Sequence, residues 1–232
     1  MLRSRVPFLM LCAFAAASLG ALLHAVFYYA PMAQMAADGF AQKIFYFHVP
    51  AAYAMYVGGV ACLIGSAGYL LRASPLLDAW AKAGAECAVF FGMIVMTSGP
   101  LWAKKAWGVY WTWDPRLTTL LLSVLIYASI VLLRSFVGDG DAERRFLAAF
   151  GVLGTVNLPI IHLSVRKWGG NHPTVITRGG GGITTEMART LGLGFLAMTL
   201  LVALLLWLRV RKAMLQQTVE VLEYRITELS DE

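Results

Sequence analysis

The chain has 232 residues, of which 59% are hydrophobic and 14% are charged, and its formal net charge is +6. A soluble domain has about 25% charged and about 45–50% apolar residues, so this excess of apolar side chains cannot all be buried in one soluble core. The composition excludes a water-soluble enzyme, a disordered protein and a disulfide scaffold. It indicates an integral membrane protein.

Long stretches without charge predict six transmembrane helices. A helix needs about 20 mostly apolar residues to cross the hydrocarbon layer, and segments of this length favour helices over barrel strands. The first stretch also resembles a secretory signal peptide, but its apolar run is too long, so we interpret it as a retained helix. The expected fold class is an all-α bundle of six transmembrane helices, with spans at 7–28, 46–71, 80–101, 117–134, 146–166 and 189–209.

An even number of spans puts both termini on one side of the membrane. The basic N-terminus and the group Arg209, Arg211 and Lys212 favour cytoplasmic termini. Residues 1–210 then form a single transmembrane domain, and residues 211–232 are predicted to form a cytoplasmic amphipathic tail. The opposite side, however, is more basic than this topology rule expects.

Helix ends from distant parts of the chain bring five of the seven tryptophans and all four histidines to that opposite side. An interfacial aromatic belt or a hydrogen-bonded structural histidine is the simpler interpretation of any one of these residues. Their concentration at one surface favours a binding site instead. The histidines are His24, His48, His162 and His172.

The predicted spans also contain one acidic residue and three cysteines. Glu86, the one acid within a predicted span, is either a functional ionisable group or the structural partner of Lys82, one helical turn away. The three cysteines have no metal-binding or redox spacing and are predicted to be packing residues.

The segment at 102–118 is too aromatic for an ordinary loop between two helices. It provides a flat apolar surface flanked by cations, which suits a large planar ligand with carboxylates, and haem is such a ligand. We expect the platform to consist of Trp102, Trp107, Tyr110, Trp111, Trp113 and Asp114. The candidate partners of the haem propionates are Lys104, Lys105, Arg116, Arg166, Lys167 and Arg178.

Three motifs resemble a known family. Residues 107–114, Trp-Gly-Val-Tyr-Trp-Thr-Trp-Asp, are similar to the signature of the WWD-domain haem-handling superfamily of cytochrome c maturation. Within it, the continuation Pro-Arg116-Leu-Thr118 resembles the haem exporter protein C (CcmC) family. So do Phe-His48-Val-Pro-Ala-Ala in the second span and Asn157-Leu-Pro-Ile-Ile-His162 in the fifth.

The resemblance implies a non-enzymatic protein that binds haem b transiently at the periplasmic face of a bacterial inner membrane. In that family the histidines matching His48 and His162 are the axial haem ligands, and the tryptophan-rich loop forms the haem platform. The resemblance further implies delivery of haem to the chaperone CcmE, beside the ABC-type pair CcmA–CcmB and the small membrane protein CcmD. His24 and His172 match none of the motifs.

Local chemistry adds expectations about geometry. Pro50 is predicted in the first turn of the second helix, with His48 at its mouth, and Pro159 is predicted to kink the fifth. Asp114 is expected either to pair with Arg116 or to cap the fourth helix. The Gly-rich segment 167–188 is interpreted as a periplasmic loop.

Two alternatives to a haem-binding assembly factor are less favoured. A transporter that moves haem or another small solute through the bundle would be expected to have inverted repeats, broken helices or polar groups near the midplane. A cytochrome b that carries electrons across the bilayer would need histidine pairs toward both faces. The spans have few polar groups, and the histidines lie toward one face only.

Overall fold

The computed structural model describes residues 5–32, 39–136, 140–170, 172 and 182–231. Six of its helical segments are long and apolar enough to cross a membrane, which confirms the predicted all-α membrane fold. The helices are α1 (Arg5–His24, continued by a π-helical turn Ala25–Tyr29), α2 (Phe45–Leu71, preceded by a 3-10 turn Ala41–Ile44), α3 (Pro75–Trp107), α4 (Pro115–Phe136), α5 (Asp141–Thr155), α6 (Asn157–Trp168) and α7 (Thr185–Asp231).

Successive spans run in opposite directions, so the helix ends form two sets. One set comprises the C-terminal ends of α1, α3 and α6 and the N-terminal ends of α2, α4 and α7. We call it the aromatic end, because residues 107–114 lie there. The opposite end carries the long C-terminal part of α7.

A buried lysine ties α1 to α2 at the aromatic end. Lys43, which is 8% exposed, donates to the carbonyl of Val26 at 2.5 Å and to that of Phe27 at 3.4 Å. Both carbonyls belong to the π-helical turn that ends α1. A cation here meets the negative end of the helix dipole, so the contact holds the segment that leads into α2 and His48.

Helices α2 and α3 touch backbone to backbone. A Cβ atom at Gly84 would lie 2.7 Å from the Cα of Cys62 and 2.7 Å from the carbonyl oxygen of Gly58. A Cβ atom at Gly58 would lie 2.6 Å from the amide nitrogen of Ala88. Small residues at a transmembrane interface allow such close approach. This contact fixes the position of α2 relative to α3 in the middle of both helices.

Helix α3 is longer than the predicted span 80–101. It contains Pro100 and continues to Trp107, where Gly108 (φ +78°) ends it in the left-handed conformation. The basic residues of the last turn favour the helix C-terminus, and the Lys104 ammonium donates to the Gly108 carbonyl at 2.9 Å. Residues 102–107 are therefore helical, and the irregular part of the segment 102–118 is confined to 108–114.

The structure tests the predicted effects of two prolines. The fifth span divides at Val156 into α5 and α6, three residues before Pro159, which has no N–H to bond the carbonyl of Thr155. Pro50 lies six residues into α2 rather than in its first turn, because the helix begins at Phe45. His48 is consequently within the first turn and not at its mouth.

Helix α7 runs without interruption through the predicted boundary at residue 210. Its 47 residues correspond to a rod of about 70 Å. Arg209 of this helix forms an ion pair with Glu86 of α3 at 3.5 Å. Within the described ranges, the partner of Glu86 is thus Arg209 and not the predicted Lys82.

Candidate functional site

The first turn of α2 places His48 against α3. The imidazole Nδ1 lies 2.8 Å from the hydroxyl oxygen of Ser98, and that hydroxyl donates to the carbonyl of Ile94 at 2.7 Å. A Cβ atom at Gly99 would lie 3.1 Å from the Cε1 atom of His48. The half-buried imidazole is therefore held along one edge by two consecutive residues of α3.

A second imidazole at the aromatic end of the bundle is that of His172. Its Nδ1 lies 3.3 Å from the guanidinium of Arg116, which is in the first turn of α4. His162 has an exposed side chain on α6, and its predicted role as a ligand stays a prediction. His24 stacks on Tyr28 at the end of α1, with ring centroids 5.2 Å apart.

The predicted platform residues form two aromatic pairs on either side of Gly108. Trp102 and Trp107, on the last turns of α3, meet edge to face with centroids 5.4 Å apart. Trp111 and Trp113 do the same at 5.7 Å, and Trp113 is 76% exposed. Edge-to-face contact is a favourable arrangement of aromatic rings. The pairs stiffen the segment while leaving indole surface accessible.

Tyr110, a further predicted platform residue, contacts the side chain of Lys104. The Lys104 ammonium lies 5.3 Å from the centroid of the Tyr110 ring, within the range of a cation–π contact. The same ammonium bonds the Gly108 carbonyl. In this arrangement Lys104 stabilises the loop by contacting Gly108 and Tyr110. Its role as a partner of a haem propionate stays a prediction.

Asp114 anchors the aromatic segment. Its carboxylate accepts the backbone N–H of Arg116 at 2.8 Å, so the expected capping of α4 is observed. The carboxylate also lies directly against Gly170, where a Cβ atom would collide with it. Gly170 has φ +147°, which suits glycine alone. One buried side chain thus connects the tryptophan loop to the segment that carries His172.

Replacing Asp114 by alanine should lower the free energy of unfolding by about 1 kcal/mol, because the first turn of α4 loses its cap. Asparagine keeps an acceptor oxygen, so Asp114→Asn should lower the free energy of unfolding by only a few tenths of that amount. Thermal unfolding in detergent, followed by tryptophan fluorescence, measures both. Equal losses for Asp114→Ala and Asp114→Asn would contradict the capping role.

Three other cations predicted to bind the propionates lie at the aromatic end of the bundle. Lys105 is exposed on the last turn of α3, Arg116 opens α4, and Lys167 is exposed near the end of α6. The side chain of Arg166 and the whole of Arg178 lie outside the described residues.

Sequence reasoning missed Ser98, Gly99 and Gly170. A signal for Ser98 existed: it precedes Trp102 by four residues, so a hydroxyl shares one helix face with a platform tryptophan. The pairing of Gly170 with Asp114 has no local signal, because 56 residues separate them.

Comparison with known proteins agrees with the motif resemblance. The family model described as "Heme exporter protein C" matches residues 1–225. "Heme exporter protein C" of Bradyrhizobium diazoefficiens is 39% identical over 146 residues, 62% of this chain and 55% of that protein. The Escherichia coli K12 protein of the same name is 34% identical over 139 residues, 58% of this chain and 55% of that protein.

A plant relative is matched over more of its length. The "Putative cytochrome c biosynthesis ccmC-like mitochondrial protein" of Marchantia polymorpha is 31% identical over 174 residues, 75% of this chain and 74% of that protein. The chain spans about half the length of the two bacterial relatives. The family model covers nearly all of this chain, and so the protein belongs to the Heme exporter protein C family.

Proposed function

We propose that this protein binds haem at the aromatic end of its bundle and delivers it for cytochrome c maturation. The observation that carries the proposal is that two imidazoles are held at the aromatic end of the bundle, His48 by Ser98 of α3 and His172 by Arg116 of α4. The tryptophan pairs lie at the same end of the bundle. Membership of the Heme exporter protein C family supports the same ligand.

His48 is the first proposed axial ligand. Imidazole nitrogen is a common axial ligand of haem iron, and the ring is already oriented by Ser98. For the second ligand, motif resemblance predicts His162, but we propose His172. His172 is held by Arg116 in the first turn of α4, next to the tryptophan loop, whereas the His162 side chain is exposed on α6.

The aromatic pairs and nearby cations suit the rest of the molecule. Indole rings offer flat apolar contact to a porphyrin face, and Lys or Arg pairs with propionates by charge-assisted hydrogen bonds. The platform we propose comprises Trp102, Trp107, Tyr110, Trp111, Trp113 and Asp114. Lys105, Arg116 and Lys167 are the described cations proposed for the propionates, with Lys104, Arg166 and Arg178 as further candidates from the sequence.

We place the site on the periplasmic side of a bacterial inner membrane, with haem b bound transiently. The proposed recipient is the chaperone CcmE, and the proposed partners are the CcmA–CcmB transporter and CcmD. The role is delivery rather than catalysis. The alternative, passage of haem through this bundle, has support in only part of the structure, because α2 and α3 pack backbone to backbone at Gly58 and Gly84 and offer no route between these two helices there.

The absorption spectrum of the detergent-purified protein titrated with haem tests the ligand assignment. Wild type should give the low-spin spectrum of two imidazole ligands. His48→Ala and His172→Ala should each lose it, while His162→Ala should keep it. Loss in His48→Ala and His162→Ala, with an unchanged spectrum in His172→Ala, would return the second ligand to His162. An unchanged spectrum in all three variants would contradict the haem site.

A further inference from the structure

We infer that Ser98 is a positioning residue that holds the His48 imidazole with its proton on Nδ1, so that Nε2 is the nitrogen offered to iron. The inference rests on the proposed haem-binding function and deepens it. It concerns a residue of α3 that lies outside all three motifs, and it assigns the orientation and tautomer of the ligand to a contact between two helices.

The direction of the hydrogen bond follows from counting protons. A serine hydroxyl has one proton and two lone pairs, and the Ser98 proton is committed to the Ile94 carbonyl at 2.7 Å. The oxygen therefore meets His48 Nδ1, 2.8 Å away, as an acceptor. A neutral imidazole carries one N–H. With that N–H at Nδ1, the lone pair is at Nε2, where a metal binds.

Gly99 makes this orientation sterically possible. A Cβ atom there would lie 3.1 Å from Cε1 and 3.8 Å from Nδ1 of His48. A contact of 3.1 Å is tighter than most real Cβ contacts, so a side chain at 99 would require the ring to shift by a few tenths of an ångström, which would strain its hydrogen bond with Ser98. Ser98 therefore holds the His48 ring by a hydrogen bond, and Gly99 leaves the space that the ring occupies.

The contact is preorganised because the two helices cannot shift freely. Gly58 and Gly84 bring the backbones of α2 and α3 together further along the same pair of helices. A ligand imidazole whose other nitrogen has a fixed acceptor is more basic and better oriented, and removal of such an acceptor lowers metal affinity by about 10–100-fold.

Chemical complementation tests the hydrogen bond directly. His48→Gly, titrated with haem in detergent, should regain a low-spin spectrum when imidazole is added. Because 1-methylimidazole has no N–H for Ser98, it should bind about 5-fold more weakly than imidazole. The double variant His48→Gly/Ser98→Ala should lose this discrimination. If His48→Gly and His48→Gly/Ser98→Ala preferred imidazole over 1-methylimidazole to the same extent, the inference would be overturned.

Variants of the intact protein give a second measurement. Ser98→Ala should weaken haem binding about 10-fold or more and raise the reduction potential of bound haem, since a less basic imidazole stabilises ferric iron less. Ser98→Thr should restore both values. Thr97→Ala is the matched control, because Thr97 makes the same intrahelical bond, to the Met93 carbonyl, on the adjacent exposed position.

The outcomes separate this inference from the proposed function. If His48→Ala loses the low-spin spectrum while Ser98→Ala keeps both the affinity and the potential of wild type, the role of Ser98 is wrong and the haem site stands. If His48→Ala leaves the spectrum unchanged, the haem site itself is wrong. Gly99→Ala should resemble Ser98→Ala, whereas Gly192→Ala, where a Cβ meets nothing within 4 Å, should resemble wild type.

Discussion

Replacing Asp78 by alanine should destabilise the folded protein by about 3–5 kcal/mol, because it leaves a buried arginine without its counter-charge. Asp78, in the first turn of α3, has a side chain only 5% exposed. Its carboxylate lies 2.8 Å from the guanidinium of Arg134 at the end of α4, itself 9% exposed. Unfolding in detergent by SDS or heat measures the loss.

The expected effect is large because the carboxylate holds four helices together. Besides Arg134 of α4, Arg144 of α5 lies 4.0 Å away, and the Gln217 amide of α7 donates to the same group at 3.3 Å. These contacts form at the end of the bundle opposite the histidines. We therefore expect a fall in stability without a matching change in the spectrum of protein that remains folded.

An exposed ion pair provides the control. Asp141 and Arg145 lie 2.7 Å apart, with side chains 59% and 46% exposed. Such pairs contribute little, so Arg145→Ala, which leaves the bond from Tyr69 to Asp141 in place, should change stability much less. The double variant Asp78→Leu/Arg134→Leu should recover most of the loss, since it removes the charge left unpaired. An Asp78→Ala protein no less stable than Arg145→Ala would contradict the role of the cluster.

Replacing Gly84 by leucine should cost about 3 kcal/mol or more and should also weaken haem binding. Overpacking of a tight interface costs about 1–3 kcal/mol or occasionally more, and here the atoms in the way belong to the backbone at Cys62 and Gly58. Because α2 carries His48 and α3 carries Ser98, separation of the two helices should also break the contact between these residues. Thermal unfolding and haem titration measure the two effects.

Gly192→Leu on α7 is the matched control, because nothing lies within 4 Å of the added Cβ. It should leave both stability and haem affinity close to wild type. Gly84→Ala should have an intermediate effect, since one methyl group already meets the facing backbone. Wild-type haem affinity in a destabilised Gly84→Leu protein would show that this interface does not hold the histidine in place.

Several local features were predictable because short-range chemistry governs them. The capping of α4 by Asp114 follows from an aspartate just before a helix. The interruption near Pro159 follows from a missing N–H. The end of α3 was misjudged because residues 102–107 combine tryptophans with lysines. A helix tolerates that composition where it leaves the hydrocarbon layer.

Ion-pair partners were not predictable in the same way. Lys82 lies one turn from Glu86 along the chain, yet the observed partner is Arg209 of another helix. The choice depends on how each helix is rotated about its axis, which is set by packing against its neighbours. For the same reason the sequence motifs predicted His162 as the second ligand and gave no sign of the contact between His172 and Arg116.

The sequence by itself determined that this protein is a bundle of six apolar helices with its aromatic and imidazole groups at one end. The thickness of the hydrocarbon layer and the backbone's need for hydrogen bonds impose those features on any chain of this composition. Only the tertiary structure decided which side chains meet: Ser98 with His48, Arg116 with His172, and Asp78 with Arg134. Each of these pairs joins different parts of the chain, and their contact depends on close packing between helices that no local pattern encodes.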